Sequence, residues 1–198
     1  MEKIKLENRL KGDMKQDCLL SNDGVDFQVP EPQPFSKDNF SHKFNGPGIR
    51  YEVALSIKSG YICRINGPFP PGKYNDLQIF RQGLRDKLMK NERVLCDSGY
   101  YGDDPEYCCT KNGFRVHRNK EEKKLYRKAI NTILGRHETV NGRMKWFQCL
   151  TSYRHSYEKH KIFFTAIAVI VQVSIETDSP LFQIKESDII GLQPALLA

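Results

Sequence analysis

The sequence has no CxxC pair among its six cysteines, only one tryptophan, and no apolar run long enough to span a bilayer. Each gap excludes something. Without paired thiol spacing the usual cysteine metal clamps are excluded, and the adjacent Cys108-Cys109 pair is a poor substitute. Cys18, Cys63, Cys96, Cys108, Cys109 and Cys149 therefore read as buried or incidental thiols, with no disulfides expected. A membrane helix needs ~20 apolar residues. The longest candidate, Ile162 to Ile175, is shorter, contains Gln172, and is flanked by His160, Lys161 and Glu176. It reads as a buried element, and no membrane partner is expected. The opening residues mix Glu2, Lys3, Lys5, Glu7 and Arg9 with no apolar core, which excludes a secretory signal there and points to an intracellular protein. No internal repeat or low-complexity tract is visible. With 39% hydrophobic and 28% charged residues the chain is neither disordered nor collagen-like, and its 198 residues suit one domain with short tails.

What is present is positive charge, unevenly placed. The formal net charge is +7. Between Phe114 and Lys161 there are 13 Lys and Arg against 4 acids, a net of +9, so the remainder of the chain carries −2. A basic face on one segment of a slightly acidic protein is the footprint of a polyanion-binding surface. A solvated helix face, with Glu121 and Glu122 supporting Lys124 and Arg127, is the alternative that charge alone leaves open. Within this segment Trp146, Tyr153 and Tyr157 interleave with Lys145, Arg154 and Lys159, a pattern suited to phosphate contacts and base stacking or, equally, to core packing. Cys149, His155 and His160 lack a fourth ligand and make a poor zinc site.

Along the chain, residues 1–16 read as a disordered leader, 17–182 as the domain and 183–198 as a peripheral tail. A short strand is expected around Asp23 to Val29, ended by Pro30, Pro32 and Pro34. Residues 30–49 read as a long connection. Tyr51 to Ile57 and Tyr61 to Ile65 flank Lys58-Ser59-Gly60 as an antiparallel hairpin. The prolines in Gly67-Pro68-Phe69-Pro70-Pro71-Gly72 predict the end of the second strand. Asn75 can cap a helix whose apolar stripe is Leu77, Phe80, Leu84 and Leu88. Arg93 to Cys96 reads as a buried strand stopping at Asp97-Ser98-Gly99-Tyr100, and 101–118 as loop. From about Lys120, Tyr126, Ile130, Ile133, His137, Val140, Met144 and Phe147 recur on one helical face, and Ile162 to Ile175 predicts a buried helix. This order suggests an α/β mixed sheet flanked by helices.

Three acids stand at element ends or on helices: Asp23, Asp97 and Glu138. Strand alternation puts Asp23 and Asp26 on opposite faces, and Asp23 is the better candidate. A hard cation such as Mg²⁺ takes carboxylate oxygens from separate elements without a local motif, and a pair of such ions supports in-line phosphoryl displacement. Among 24 acids such a triple is common.

Six segments narrow the choice: Asn22-Asp23-Gly24-Val25-Asp26-Phe27, Ser41-His42-Lys43-Phe44-Asn45-Gly46-Pro47-Gly48-Ile49-Arg50-Tyr51-Glu52-Val53, Ile65-Asn66-Gly67-Pro68-Phe69-Pro70, Asn75-Asp76-Leu77-Gln78-Ile79-Phe80, Cys96-Asp97-Ser98-Gly99-Tyr100 and Arg136-His137-Glu138-Thr139-Val140-Asn141. In this order they resemble the DDE superfamily endonuclease domain of Harbinger-like transposases. The resemblance implies a ribonuclease H-like fold and a metal-dependent DNA endonuclease using Mg²⁺ or Mn²⁺. It implies Asp23, Asp97 and Glu138 as catalytic metal ligands, with Val25 in the place of the family's Thr. Asp76 matches a further family aspartate and serves equally as an N-terminal helix acid. The basic segment offers Arg136, Arg143, Lys145, Trp146, Arg154 and Lys159 as the expected DNA contacts, and the resemblance implies a nuclear location. Family chains usually carry a helix-turn-helix region before the first aspartate, whereas 22 residues precede Asp23 here. The chain thus resembles an isolated catalytic core, a fragment of a gene model or a captured relic, with a separate DNA-binding protein as the candidate source of target recognition. A catalytically silent DNA-binding or interaction domain is the alternative.

Overall fold

The computed structural model describes residues 3–11, 18–100, 107–110, 119–151, 153–189 and 192. Six strands form one mixed sheet: β1 (Cys18–Gln28), β2 (Phe40–Ser41), β3 (Gly46–Ser56), β4 (Ile62–Phe69), β5 (Arg93–Cys96) and β6 (Cys108–Cys109). The spatial order is β2-β3-β1-β5-β6, with β4 also paired to β3. β3 runs antiparallel to β1, β2 and β4, whereas β5 is parallel to both β1 and β6. The helices are α1 (Asp76–Gln82), α2 (Lys120–Lys145), α3 (Gln148–Thr151), α4 (Tyr157–Glu176) and α5 (Glu186–Ile189). A mixed sheet between helices is the α/β arrangement expected, consistent with a ribonuclease H-like fold.

Strand alternation assigns the two faces. Val25, Phe27, Tyr51, Val53 and Leu55 pack with Val140, Met144, Phe164, Ile167 and Val171 of α2 and α4. Leu20, Ala54, Val94 and Cys96 point the other way, onto Phe80 and Leu84 around α1. Each such side chain contributes about 1.5–3 kcal/mol by leaving water. Asn75 caps α1 by accepting from Gln78 N–H while the Gln78 side chain accepts from Asn75 N–H, a complete capping box. The expected stripe Leu77, Phe80, Leu84 and Leu88 packs into one cluster, although only its first part is α-helical.

Several expectations are corrected. The prolines do not end β4 at Ile65: it continues through Gly67 and Pro68 to Phe69, with an irregular register between Arg50 and Glu52. Among the described residues β4 pairs on one side only, to β3, so a residue without an N–H is tolerated on its open side. Within 101–118, Cys108-Cys109 forms β6; residues 101–106 and 111–118 lie outside the described residues. The leader is not loose where it is described. Leu6–Leu10 forms a 3-10 turn, and Arg9 is buried in a bidentate pair with Glu92 at 2.7 and 3.1 Å. In the tail, Ile189 and Leu192 are buried in the cluster around Tyr126 and Ile130. α4 is not buried all round, because the sheet covers one of its faces and leaves Ile162, Phe163, Ile170 and Val173 exposed. His160 is a core residue, with Nδ1 against Tyr51 Oη at 2.9 Å and Nε2 against the Leu150 carbonyl at 3.1 Å, while Cys149 is exposed. That disposes of the zinc grouping. No helix among the described residues is long and apolar enough to cross a membrane.

Two polar pairs fix α2 against β1. Ser21 Oγ meets His137 Nδ1 at 2.9 Å, and Asn141 Nδ2 donates to Asp23 Oδ2 at 3.0 Å. Two strand residues advance ~6.6 Å and four helical residues ~6 Å, so the two rungs match. Burial first, then Arg136, lowers the His137 pKa from its ordinary 6.5 to about 3. For a base depressed in the folded state, the unfolded chain binds more protons between those values, so stability present at neutral pH is lost as pH falls from 6.5 towards 3. His137→Gln should flatten this part of the stability profile in urea titrations taken across that range. A slope equal to that of the wild type would show that His137 does not carry it.

Candidate active site

The pairing of β1 with β5 ends at Asn22 opposite Cys96. In a parallel pair the following residues are also neighbours, so Asp23 and Asp97 come together at the carboxyl end of β5. β1 continues to Gln28 while β5 stops at Cys96, which leaves the β1 edge beyond Asn22 without a strand partner among the described residues. Acids from both faces of the sheet converge on this opening. Asp23 comes from the α2 face, and Asp76, the first residue of α1, comes from the opposite one.

Gly24 makes the approach possible. A Cβ there would lie 2.0 Å from Asp76 Oδ1, so only glycine lets that carboxylate settle over the strand. Asp76 Oδ2 also lies close to Gly99, next to Asp97, whose Oδ1 accepts from Gly99 N–H at 2.7 Å. Asp23 is held at both oxygens: Oδ1 accepts from Gly24 N–H at 2.8 Å and Oδ2 from Asn141. Burial pushes the Asp23 pKa up to about 6, Asp76 and Asp97 add to the rise, and Lys43 and the Gly24 amide oppose it. Asp76 is also raised, chiefly by burial, against the pull of Arg50 and Lys43.

Asp26 belongs to the support rather than to the cluster. Burial disfavours its charge, but hydrogen bonds from Arg50 at 2.7 and 2.9 Å and from Ser41 at 2.5 Å outweigh that and hold its pKa low. Arg50 extends further, to the Tyr74 carbonyl at 3.2 Å and to Asp76 Oδ1 at 3.4 Å. Beneath Gly24, buried Glu52 accepts from Asn22 at 3.0 Å, and Asn22 also reaches Tyr100 Oη at 3.2 Å. The tyrosine of the Asp-Ser-Gly-Tyr segment therefore folds the chain after Asp97 back onto β1.

The sequence-predicted residues divide clearly. Asp23, Asp97 and Asp76 are brought together. Glu138 is exposed on α2, three residues before Asn141 and hence on an adjoining part of the same face, and no hydrogen bond or ion pair among the described residues joins it to the three aspartates. Arg136 is corrected: expected on the DNA face, it is 2% exposed and donates to the carbonyls of Ser56 and Ile57 at the end of β3. Arg143 donates to the Ser179 carbonyl at 2.6 Å. Lys145, Arg154 and Lys159 are exposed, and Trp146 is 82% exposed, so the region where α2 ends and α4 begins presents cations and an aromatic face to solvent. Sequence reading missed Asn141, Lys43 and Arg50. Asn141 follows His137 by four on the buried face of α2, which marks it as inward-facing, but no sequence signal pairs it with Asp23.

Among the described residues no group of three or more His, Cys, Asp and Glu is set to hold a metal ion. The donor chemistry nevertheless suits a hard divalent cation: burial, Asp76 and Asp97 raise the Asp23 pKa, and the Oδ1 atoms of Asp76 and Asn141 are buried without a hydrogen bond. The sequence matches the family model of the transposase DDE domain over residues 14–173. No curated protein and no solved structure matches it.

Mg²⁺ or Mn²⁺ should raise the melting temperature by relieving repulsion between these carboxylates. Asp97→Asn should remove most of that gain, and Gly24→Ala should reduce it by displacing Asp76. An identical metal response in wild type and Asp97→Asn would show that the cluster is not the binding site.

Proposed function

The chain belongs to the transposase DDE domain family, and on that premise we propose that it is a metal-dependent DNA endonuclease core of the Harbinger-like branch. The observation that carries the reading is the convergence of Asp23, Asp97 and Asp76 at the one open end of the β1–β5 pair. Asp23 and Asp97 would hold the first ion, Glu138 would turn in from α2 to complete the set, and Asp76 would supply a further oxygen. A bound Mg²⁺ or Mn²⁺ would supply Lewis-acid activation of water and neutralise charge developing on phosphate oxygens. In the cleavage, a water oxygen bonds to phosphorus, the bond from phosphorus to the 3′ oxygen breaks, and the proton lost by water is balanced by one taken up on the departing 3′ oxygen.

The chain's own residues do the positioning. Asn141 and the Gly24 amide fix the rotamer of Asp23, and the Gly99 amide fixes that of Asp97. Beyond Asn141, α2 runs on to Lys145 and Trp146, so DNA held by these side chains and by Arg154 and Lys159 lies on the same helix that carries Glu138. Such contacts set the register of the duplex without reading its sequence.

A second reading rests on the absence of a closed ligand group among the described residues: a catalytically silent domain that keeps the fold and the basic surface. Glu138→Gln separates the two, because it removes one negative charge from an exposed helical position while leaving Arg143 and Lys145 in place. The purified protein should nick plasmid DNA slowly in Mn²⁺, and Glu138→Gln should bind DNA comparably without cutting. Wild-type protein that binds DNA yet never nicks it with any divalent metal would establish the silent domain instead.

The basic surface has its own test. Charge reversal at Lys145 and Arg154 should weaken DNA binding across all sequences, and the slope of log affinity against log salt should fall by about one for each phosphate no longer neutralised. Binding that ignores salt, or survives both reversals, would show that this surface only faces solvent.

A further inference from the structure

Lys43 lies in the turn between β2 and β3, and its backbone and its ammonium are held in different ways. The backbone is pinned: Lys43 N–H donates to Ser41 Oγ at 3.2 Å, and Ser41 donates to the buried Asp26 at 2.5 Å. The ammonium reaches across the opening in the sheet, donates to the Gly24 carbonyl, and sits 4.0 Å from Asp26 Oδ1. It lowers the pKa of Asp23, Asp26 and Asp76 together, so its charge acts on two acids of the cluster and on the Asp26 that supports them. Yet the side chain is 41% exposed, against 16% for Asp76 and 0% for Asp26. It is a cation at the mouth of the site, tied at its root and partly exposed along its side chain.

Among the described residues, the neighbouring cations Arg50 and Arg136 are committed elsewhere. Arg50 is spread over Asp26, the Tyr74 carbonyl and Asp76, and Arg136 is enclosed beneath the hairpin. A lysine ammonium on a flexible stem can exchange partners by rotamer changes alone. An ammonium and a divalent ion cannot share one cluster of carboxylates without repelling each other. A phosphodiester arriving at the aspartates would offer its non-bridging oxygens at the position from which the ammonium would be expelled.

We propose that Lys43 is the side chain that binds the scissile phosphate, and that without substrate its ammonium occupies the acid cluster as an internal counter-ion. This rests on the endonuclease reading above. The lysine thus links the two binding events: it opposes entry of the ion into the empty site and then stabilises charge on the phosphate at the loaded one.

Lys43→Met makes the two roles move in opposite directions. By calorimetry in the absence of DNA, it should bind Mn²⁺ about tenfold more tightly than the wild type, because the competing charge is gone. With Ca²⁺ in place of Mn²⁺ to suppress cutting, it should bind a DNA duplex more weakly. Its nicking rate at saturating Mn²⁺ should fall about a hundredfold, the scale of losing one preorganised donor to developing charge. Lys43→Arg should restore most of the DNA affinity and rate. Lys43→Gln repeats the charge removal with a polar side chain and guards against a packing artefact of Met. Equal Mn²⁺ affinity in wild type and Lys43→Met overturns the counter-ion role, and unchanged DNA affinity in Ca²⁺ overturns the phosphate contact. If wild type takes up no Mn²⁺ at all, the metal reading falls first, a result distinct from a metal-binding wild type with an indifferent Lys43→Met.

Discussion

Backbone hydrogen bonds force two carboxylates to be neighbours. Once β1 and β5 pair in parallel with Asn22 opposite Cys96, Asp23 and Asp97 have no separate places to go, and Asp76 is drawn into the same opening over Gly24. Burial and the neighbouring charges raise the pKa of Asp23 and Asp76, and the fold meets the cost with fixed dipoles and cations: the Gly24 and Gly99 amides, the Asn141 amide group, Arg50 and Lys43. A chain selected only for stability gains nothing from such a cluster, because apolar side chains at the same positions would avoid the repulsion. The arrangement makes physical sense as a seat for positive charge.

Helix α2 joins this seat to the rest of the molecule. Its N-terminal half packs Tyr126, Ala129, Ile130 and Ile133 against the sheet, its middle is locked to β1 by His137 and Asn141, and its last turn carries Arg143 and Lys145. Arg136 adds a third anchor by closing the carbonyls at the end of β3, and burial lowers its pKa to about 10. One helix therefore sets the distance between the acids and the basic surface.

Much of this was legible in the sequence because the signals were local. Two β-prone runs around Lys58-Ser59-Gly60 marked the β3–β4 hairpin, period 3.6 marked the inward face of α2, and Asn75 marked the start of α1. Asp97 was legible because an apolar strand of four residues ended immediately before it. What escaped depended on partners distant in sequence. A count of charges placed Arg136 on the DNA surface, although its spacing from Ile133 and Val140 already set it on the apolar stripe. The prolines after Ile65 were read without knowing that β4 has an open side, and the exposed face of α4 could not be told from its buried face by composition. Asp26 and Lys43 took their roles only when the turn between β2 and β3 closed over β1.

The central claim is that the opening at the end of β5 is a divalent cation site serving phosphodiester cleavage. The most direct test is a crystal grown with Mn²⁺ and measured for anomalous scattering. The account predicts a peak at coordination distance, roughly 2.0–2.3 Å, from carboxylate oxygens of both Asp23 and Asp97, with Glu138 turned towards it and the Lys43 ammonium withdrawn from Gly24. A fully occupied Mn²⁺ elsewhere on the protein, with no peak between these two aspartates, would contradict it.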